Sequence, residues 1–558
     1  MKAPVVGSET AAAPLRRLMR NRIFWPLATL GLLLLFNLAT NPHFFAVTVR
    51  DGHLYGSLVD ILNRASPLMI IAMGLTLVIA THGIDISVGA VVAISAAVAA
   101  TLIGGELVLS GAHVPRFPLP VVVLAALAVA TLFGMWNGLL VSFVGMQPIV
   151  ATLILLVAGR GVAQLITSGQ IITIYYSPYF FIGNGFVLGI PFSLFIAAAV
   201  LAVLLFLARR TALGLFIEAI GLNPVAARFT GVRASSITFW VYAVCGLCAG
   251  IAGLIVSSNV KSADGNNAGL LLELDAILAV VLGGTSLSGG RFTLVGSLMG
   301  ALIIQTLTTM VSASLLDRHG VNPAAVIALA LLLGASFGFV QGLVIETFKI
   351  QPFIVTLAGM FLARGLCYLI SIDSIAITNP FYAKVSAVRL PLPFDTSISL
   401  NVVIALAVLA AAVYLAHYTR FGRTVYAIGG SEQSALLMGL PVARTKVLIY
   451  TLSGFCSALA GIAFTFYMLS GYGLHAMGME MDAIAAVVVG GTLLTGGSGY
   501  VVGTLFGVLI FGTIQTLIMF QGSLSSWWTK IVIGLLTLVF CLFQKAFERG
   551  SARRTASR

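Results

Sequence analysis

Apolar stretches long enough to cross a lipid bilayer follow one another along almost the whole of this 558-residue chain. A helix that spans the hydrocarbon core needs about 20 mostly apolar residues, because the core is roughly 30 Å thick and each helical residue rises about 1.5 Å. The chain is therefore predicted to be all-α, a polytopic transmembrane helical bundle of about 16 spans that includes short or broken helices. The predicted spans lie near 24 to 41, 67 to 81, 86 to 104, 120 to 145, 148 to 167, 186 to 208, 236 to 258, 274 to 290, 293 to 314, 322 to 346, 353 to 371, 399 to 417, 447 to 468, 482 to 497, 500 to 520 and 527 to 546.

Three of these segments are short, namely 67 to 81, 274 to 290 and 482 to 497, and the last two are rich in glycine. We predict that they are broken or re-entrant helices, because they are too short to span comfortably. The composition agrees with a membrane as solvent. Hydrophobic residues without glycine make up 59% of the chain and charged residues 8%, whereas soluble domains have about 45–50% apolar residues with glycine included and about 25% charged.

The net charge of +13 does not form a face for nucleic acid, because the basic residues cluster at the ends of apolar segments. Lys and Arg in short flanking loops mark the cytoplasmic side of a membrane protein. We therefore predict that both termini and two interior loops are cytoplasmic and that no nucleic acid binds. Eighteen of the 30 basic residues define these four places: Lys2, Arg16, Arg17, Arg20, Arg22, Arg209, Arg210, Arg228, Arg233, Arg420, Arg423, Arg444, Lys446, Lys545, Arg549, Arg553, Arg554 and Arg558.

The chain contains an internal repeat. Residues 273 to 290 read ELDAILAVVLGGTSLSGG and residues 480 to 497 read EMDAIAAVVVGGTLLTGG, an offset of 207 residues. Weaker matches upstream recur at offsets of 204 and 208 residues. Because each copy contains one of the two basic interior loops, the copies have the same orientation and the duplication is parallel.

Each of the two basic loops holds a short, alanine-rich segment bounded by glycines. Small residues allow close approach to another surface and glycines permit sharp turns, so we interpret each segment as a small helix that docks into a groove on a partner. The alternative is that the loops only anchor the topology. The candidate docking residues are Glu218, Ala219, Gly221, Ala227 and Gly231 in the first loop, and Tyr426, Ala427, Gly429, Ala435 and Gly439 in the second.

Acidic residues stand at the start of three apolar segments. A carboxylate at membrane depth is costly and points to function. A structural role is the favoured interpretation, in which the acids cap a following helix, meet its positive end or shape a helix break. The residues concerned are Asp85, Ser87, Gly89, Glu273, Asp275, Glu480 and Asp482.

Motifs for catalysis and metal binding do not occur in the sequence. The tetrapeptide LSGG at 287 to 290 resembles an ATPase signature, but its repeat at 494 to 497 reads LTGG and no phosphate-binding loop exists. Cys245 and Cys248 form a CxxC pattern inside an apolar helix, where small packing residues are the favoured interpretation. We predict that the chain is not an enzyme, has no metal site and binds no cofactor itself, and that another subunit supplies the chemistry.

The residues resemble the permease subunits of bacterial monosaccharide importers of the ATP-binding-cassette class, the ribose type. The resemblance is carried by GIDISVG at 83 to 89, by the loops FIEAIGLNPVAARFTGV and VYAIGGSEQSALLMGL, and by the two E-x-D-A-I-x-A-V-V-x-G-G-T blocks. It covers nearly the whole chain and is closest to the galactofuranose type, in which two different permeases pair. His82 departs from it, since the family usually has glycine there.

This resemblance implies a multi-pass protein of the bacterial inner membrane that translocates a monosaccharide, with galactofuranose as a candidate. It implies two partners: a cytosolic ATPase that uses ATP and receives the two docking loops, and a periplasmic sugar-binding protein. Membrane lipid surrounds the chain, and a second permease copy is a further expected partner.

The resemblance also predicts a fusion of two incomplete permeases. We divide the chain into a cytoplasmic basic segment (1–23), a first half of about nine spans (24–316), a second half of about seven spans (317–546) and a basic tail (547–558). The first half lacks its last helix, and the second half lacks its first three. Two alternatives stay open at this point: an ion-driven secondary transporter, and a truncated remnant that does not transport.

Overall fold

The computed structural model of the chain describes residues 24–40, 48–50, 53–104, 116–310, 323–370, 375–377, 380–392, 396–493, 496–521 and 527–556. The predicted N-terminal basic segment and the joint near residues 316 to 320 lie outside the described residues. So do residues 557 and 558 of the predicted tail.

Helices form most of the described chain, because its long apolar segments can satisfy their backbone hydrogen bonds only internally. The helices up to residue 310 are α1 (Phe24–Thr40), α2 (Ser57–Ala80), α3 (Val88–Ile103), α4 (Leu119–Leu139), α5 (Pro148–Ile166), α6 (Ser177–Asn184), α7 (Phe192–Arg210), α8 (Ala212–Leu222), α9 (Pro224–Phe229), α10 (Ala234–Val260), α11 (Leu272–Leu282) and α12 (Leu294–Met310). A π-helical turn, Leu140–Val144, extends α4.

A second series of helices begins at residue 323. It comprises α13 (Pro323–Phe348), α14 (Pro352–Ile370), α15 (Pro380–Ala387), α16 (Leu400–Tyr418), α17 (Arg420–Gly430), α18 (Glu432–Leu437), α19 (Val442–Met468), α20 (Met479–Val489), α21 (Val501–Gln521) and α22 (Trp527–Ala556). Counting both series, the described residues contain nine helices that are long and apolar enough to cross a membrane. Several shorter apolar helices accompany them. The predicted fold class is confirmed.

The strands are short and form five antiparallel pairs. They are β1 (Thr48–Arg50) with β2 (His53–Tyr55), β3 (Ile171–Thr173) with β6 (Ser262–Asp264), β4 (Phe186–Val187) with β5 (Ile190–Pro191), β7 (Ile375–Ala376) with β10 (Ser470–Gly471), and β8 (Arg389–Leu392) with β9 (Thr396–Ser399). Pairs of two to four residues tie loops together at helix ends and do not form a sheet layer.

The order of elements confirms the parallel repeat. Helices α4 to α12 are matched one for one by α13 to α21, and the β3–β6 pair is matched by β7–β10. The starts of α4 and α13 are 204 residues apart, and the starts of α10 and α19 are 208 apart, as the sequence offsets require. In the described residues α1, α2, α3 and α22 have no counterpart within the chain.

The residues pack into two compact units, which differ from the sequence halves at the C-terminal end. Unit 1 comprises Met1–Val311 with Ile514–Arg558, and unit 2 comprises Ser312–Thr513. The division falls within α21, so that α22 belongs to unit 1, where it packs along α5. Gly534 makes this approach possible, because a Cβ atom on it would lie only 2.6 Å from the Cβ of Ala158.

The prediction of a short or broken helix at 67 to 81 is wrong. The segment is the second part of α2, a continuous helix of 24 residues that begins at Ser57. Asp60 and Arg64 in its first turns masked the start of the helix in the hydropathy pattern. The other two short segments, both rich in glycine, contain only the 11-residue helices α11 and α20, which are about 16 Å long and too short to span a bilayer.

Candidate functional site

The first predicted docking loop folds as two short consecutive helices, α8 and α9. The hydroxyl of Thr211 accepts a hydrogen bond from the Leu213 N–H at 3.2 Å and so caps α8. The side-chain oxygen of Asn223 accepts from the N–H groups of Val225 and Ala226, each at 3.0 Å, and caps α9. A cap satisfies N–H groups that the helix leaves without partners, so each polar residue starts a new helix.

The second loop repeats this construction in α17 and α18. The hydroxyl of Thr419 accepts from the Gly422 N–H at 3.2 Å, and the hydroxyl of Ser431 accepts from the Ser434 N–H at 3.3 Å. Thr211 and Thr419 are equivalent in the repeat, as are Asn223 and Ser431. Both loops therefore present the same helix pair, which we call the two-helix segment.

Glycines end the small helices α9 and α18 by the same turn. Gly231 and Gly439 have left-handed backbones, with φ values of +86° and +75°. In the first segment the Val232 N–H donates to the Ala227 carbonyl at 3.0 Å. The matching bond in the second segment joins the Leu440 N–H to the Ala435 carbonyl at 3.1 Å. This pattern is a Schellman motif, which explains why glycine stands at both positions.

The alanines that were predicted to face a partner lie inward. Ala227 and Ala435 are buried against their own unit, and Ala227 packs with Ile220 and Ala234. Glu218 and Ala219 of α8 are half-buried. In the second segment Ala427 is half-buried, and the hydroxyl of Tyr426 donates to the Gly499 carbonyl at 2.9 Å.

The glycines Gly221 and Gly429 also make contacts within the chain. A Cβ atom on Gly221 would lie 1.8 Å from the Ala80 carbonyl oxygen and 2.2 Å from the Gly290 nitrogen. In unit 2 a Cβ atom on Gly429 would lie 2.4 Å from the Gly497 nitrogen. The need for glycine at both positions therefore arises from packing inside each unit.

The glycine pairs Gly289–Gly290 and Gly496–Gly497 form the surface that receives these glycines. Gly289 and Gly290 have φ values of +78° and +89°, and Gly496 and Gly497 have values of +91° and +78°. The Gly290 N–H donates to the carbonyl of Ala80, the last residue of α2, at 2.9 Å. The motif is thus a left-handed turn that holds the two-helix segment against the membrane helices.

Exposed apolar side chains at the end of α9 and α18 were missed by the sequence analysis. Phe229 is 88% exposed and its equivalent Leu437 is 87% exposed. Leu222, Val225, Leu436 and Met438 on the same two segments are also exposed. The available signal was the repeat itself, which places one large apolar residue six positions after each capping residue.

The break between α2 and α3 contains Asp85 and Ser87, which are buried. The Asp85 carboxylate accepts hydrogen bonds from the Ser87 N–H at 2.9 Å and the Ser87 hydroxyl at 2.7 Å, and the Asn137 side chain donates to the Ser87 hydroxyl at 2.8 Å. Ser87 is the first residue before α3, but its side chain makes no cap bond. The predicted helix break is present, and the predicted cap is replaced by a turn around Asp85.

The acids of α11 and α20 lie in the first helical turn, where a negative charge meets the positive end of the helix. No side chain caps either helix, because the N-cap residues, Leu271 and Gly478, have no side-chain oxygen to accept a hydrogen bond. The Glu273 carboxylate is buried beside Gly89, where a Cβ atom would lie 2.0 Å from it. The first-turn acids are Glu273, Asp275, Glu480 and Asp482.

One arginine in each unit fixes the loop that precedes these acids. The Arg160 guanidinium donates to the Gly269 carbonyl at 2.8 Å and also to the carbonyls of Asn266 and Ala268. Its equivalent, Arg364, donates to the carbonyls of Gly473, His475 and Ala476 at 2.9, 3.1 and 3.3 Å. The two arginines are equivalent in the repeat, at an offset of 204 residues. They thus hold equivalent loops in the two units, a role that the sequence did not predict.

The duplicated helices and segments define a membrane permease, and comparison with known sequences agrees. The family model described as "Branched-chain amino acid transport system / permease component" matches twice, over residues 57–317 and 306–541. The chain belongs to this permease family, as a tandem of two family sequences in one multi-pass membrane protein.

Among individual proteins, the chain is 51% identical over 295 residues to the galactofuranose transporter permease protein YtfT of Escherichia coli, covering 52% of this chain and 84% of that one. It is 46% identical over 269 residues to the inner membrane ABC transporter permease protein YjfF of the same organism, covering 48% and 80%. It is 39% identical over 268 residues to the ribose import permease protein RbsC of Haemophilus influenzae, covering 47% and 77%. The predicted resemblance to permeases of the ATP-binding-cassette class is confirmed.

Proposed function

We propose that this chain is the membrane-spanning component of an ATP-binding-cassette importer that translocates a monosaccharide across the bacterial inner membrane. In this proposal the chain binds no cofactor, a separate cytosolic subunit hydrolyses ATP, and a periplasmic binding protein delivers the sugar. The observation that carries the proposal is the two-helix segment, which is built twice, with the same caps and turns and with an exposed apolar tip each time.

The exposed tips are well suited to dock into a partner. A large apolar side chain at the tip of a segment offers area that a partner pocket can bury, and a few such anchors dominate binding energies. Phe229 and Leu437 are held outward because Ala227 and Ala435, two residues earlier, fix the inner side of each small helix. A cytoplasmic position for the first segment, on the side of the proposed ATPase, is supported by the neighbouring Arg209 and Arg210, because Lys and Arg in short loops favour the cytoplasmic side.

The sugar is proposed from the relatives. Proteins named for galactofuranose, ribose and fructose transport all match this chain. We propose a monosaccharide as the substrate class and galactofuranose as the first sugar to test, because the relative named for it has 51% identity.

The test is uptake of radiolabelled sugar by proteoliposomes that hold the chain with the ATPase and binding protein encoded beside it. Phe229→Asp and Leu437→Asp should each reduce ATPase binding and uptake at least tenfold, because a charge replaces an apolar anchor. Leu188→Asp is the matched control: Leu188 is 90% exposed on the β4–β5 turn, at the opposite end of α7 from the first segment.

Three outcomes would overturn the proposal. Uptake that needs an ion gradient and no ATP would show a secondary transporter. Absence of uptake with every sugar, despite ATPase binding, would show a non-transporting remnant. Full activity of both tip variants would show that the two-helix segments do not bind the ATPase.

A further inference from the structure

Unit 2 contains a large apolar groove between α16, α17, α19, α20 and α21. Its volume is about 840 Å³ and its wall is almost entirely apolar. A stable membrane protein fills such spaces by close packing of helices, because packing is what holds helices together in lipid. We therefore expect another molecule to fill the groove, and the equivalent space in unit 1 indicates what kind of molecule this is.

In unit 1 the equivalent space is filled by helix α2. Gly74 of α2 faces α10 so closely that a Cβ atom on it would lie 2.9 Å from the Cβ of Cys248. The Thr76 hydroxyl donates to the Ser297 hydroxyl of α12 at 2.7 Å. At its end, the Ala80 carbonyl accepts from the Gly290 N–H. These contacts define one face of α2.

The residues that receive α2 have counterparts on the wall of the groove in unit 2. Cys248 corresponds to Cys456, Ser297 to Thr504 and Gly290 to Gly497, and all three counterparts line the groove. The pattern of a small sulfur-bearing residue, a hydroxyl and a left-handed glycine is thus present in both units, although the described part of the chain holds no second α2.

Two polar groups in the groove lack the partners that α2 supplies in unit 1. Among the described residues, neither the Gly497 N–H nor the Thr504 hydroxyl makes a hydrogen bond. A helix of the α2 type would satisfy both, with its terminal carbonyl and with a Thr side chain. A lipid acyl chain could fill the volume but has no group to accept these bonds.

We infer that the groove of unit 2 is a docking site for a transmembrane helix of the α2 type, supplied by a separate polypeptide. The expected helix has glycine facing Cys456, a hydroxyl facing Thr504 and an open C-terminal carbonyl at Gly497. A second copy of this chain does not meet the need. Each copy has one α2 for two equivalent positions, so filling one groove would empty another.

Disulfide trapping tests the inference. The full chain is prepared in lipid nanodiscs with its native cysteines replaced by Ala and with Thr504→Cys. A synthetic peptide of residues 57–80 with Thr76→Cys is added. Because the corresponding hydroxyls in unit 1 are 2.7 Å apart, an oxidant should join peptide and protein in a 1:1 product.

The control peptide carries Gly74→Leu in addition, and its crosslinking should fall at least tenfold, since the larger side chain would overlap the groove wall near position 456. Equal trapping of both peptides would overturn the inference. So would failure to trap an inserted peptide while mass spectrometry shows a retained lipid in its place. A disulfide between two full chains that carry both Thr76→Cys and Thr504→Cys would assign the groove to a second copy and also overturn it.

Discussion

Helices α10 and α19 are equivalent elements of the two units and have similar mean hydropathy, 2.2 and 1.9, yet their surroundings differ greatly. In the most apolar stretch of α10 67% of the residues are buried, whereas the figure for α19 is 6%. Each packs closely on one neighbour through glycine: Gly246 meets Gly134 of α4, and Gly454 meets Gly334 and Gly338 of α13. The contact with this one neighbour is therefore present in both units. What α19 lacks is the further layer of helices that covers α10.

The missing layer corresponds to the elements that the chain has only once. Helices α2 and α3 cover α10, and α22 covers α5, all within unit 1. In unit 2 the equivalent helix α14 leaves Leu362 and Leu366 exposed. The comparison teaches that the burial of a membrane helix is set by its neighbours more than by its own composition.

The largest difference between the units is expected at the two glycines of the two-helix segments. Gly221→Ala should destabilise the protein by about 3 kcal/mol, and Gly429→Ala by about 1 kcal/mol. In unit 1 the Gly290 turn is fixed by its hydrogen bond to Ala80 and cannot move away from the new methyl group. The unit 2 turn has no such bond from an α2 helix. Thermal unfolding in detergent measures both, and equal losses would show that the units are equally rigid.

A second contrast concerns Arg160 and Arg364, which are equivalent positions in the two units. Arg160→Lys should cost about 2 kcal/mol, because three carbonyls lose a planar donor in a buried place. Arg364→Lys should cost less than 1 kcal/mol, since Arg364 is only half-buried. Hydrogen exchange of residues 265–271 and 472–478 reports the loosening of each loop. Faster exchange at 472–478 than at 265–271 would contradict the ranking.

The packing of α22 on α5 gives a smaller effect. Gly534→Leu should cost about 1–2 kcal/mol and expose α22 to protease, because the side chain would overlap Ala158. Gly512→Leu in α21 is the control, as nothing lies within 4 Å of a Cβ atom added there. If both variants resist protease like the parent, α22 does not hold unit 1 together.

The smallest effects should be equal in the two units. Asn223→Ala and Ser431→Ala each remove one helix cap, at a cost of about 1 kcal/mol. The caps are local to α9 and α18 and do not involve the missing helices. Amide exchange in residues 224–229 and 432–437 should therefore rise by similar factors. A rise in only one unit would show that the missing helices also act on the two-helix segments.

Much of the fold follows from the sequence, because hydropathy reports each helix locally. All sixteen predicted spans correspond to helices, and the repeat offsets match the element boundaries. The first part of α2 was missed because Asp60 and Arg64 interrupt its apolar run. The sequence did not predict that α22 belongs to unit 1. Helices α5 and α14 are equivalent in the repeat, and the sequence does not indicate which of them α22 packs against.

The sequence located both candidate docking segments but not the orientation of their side chains, and docking itself stays a prediction. The glycine and alanine pattern identified both two-helix segments, yet it assigned those small residues to a partner surface. Gly221 and Ala227 instead face their own unit, and Phe229 points outward. Which face of a six-residue helix turns inward depends on tertiary contacts, such as those of Ala227 with Ile220 and Ala234, and so short a helix shows no periodicity that would predict them.

The packing of α22 against α5 has a consequence for biogenesis. Helix α5 is made early, but the helix that covers it emerges from the ribosome only after the chain between Ile166 and Trp527 has been made. At about 5–20 residues per second these roughly 360 residues take about 20–70 s. During that time the bare face of α5 is open to chaperones and membrane proteases, and any chain cut short before Trp527 keeps it open.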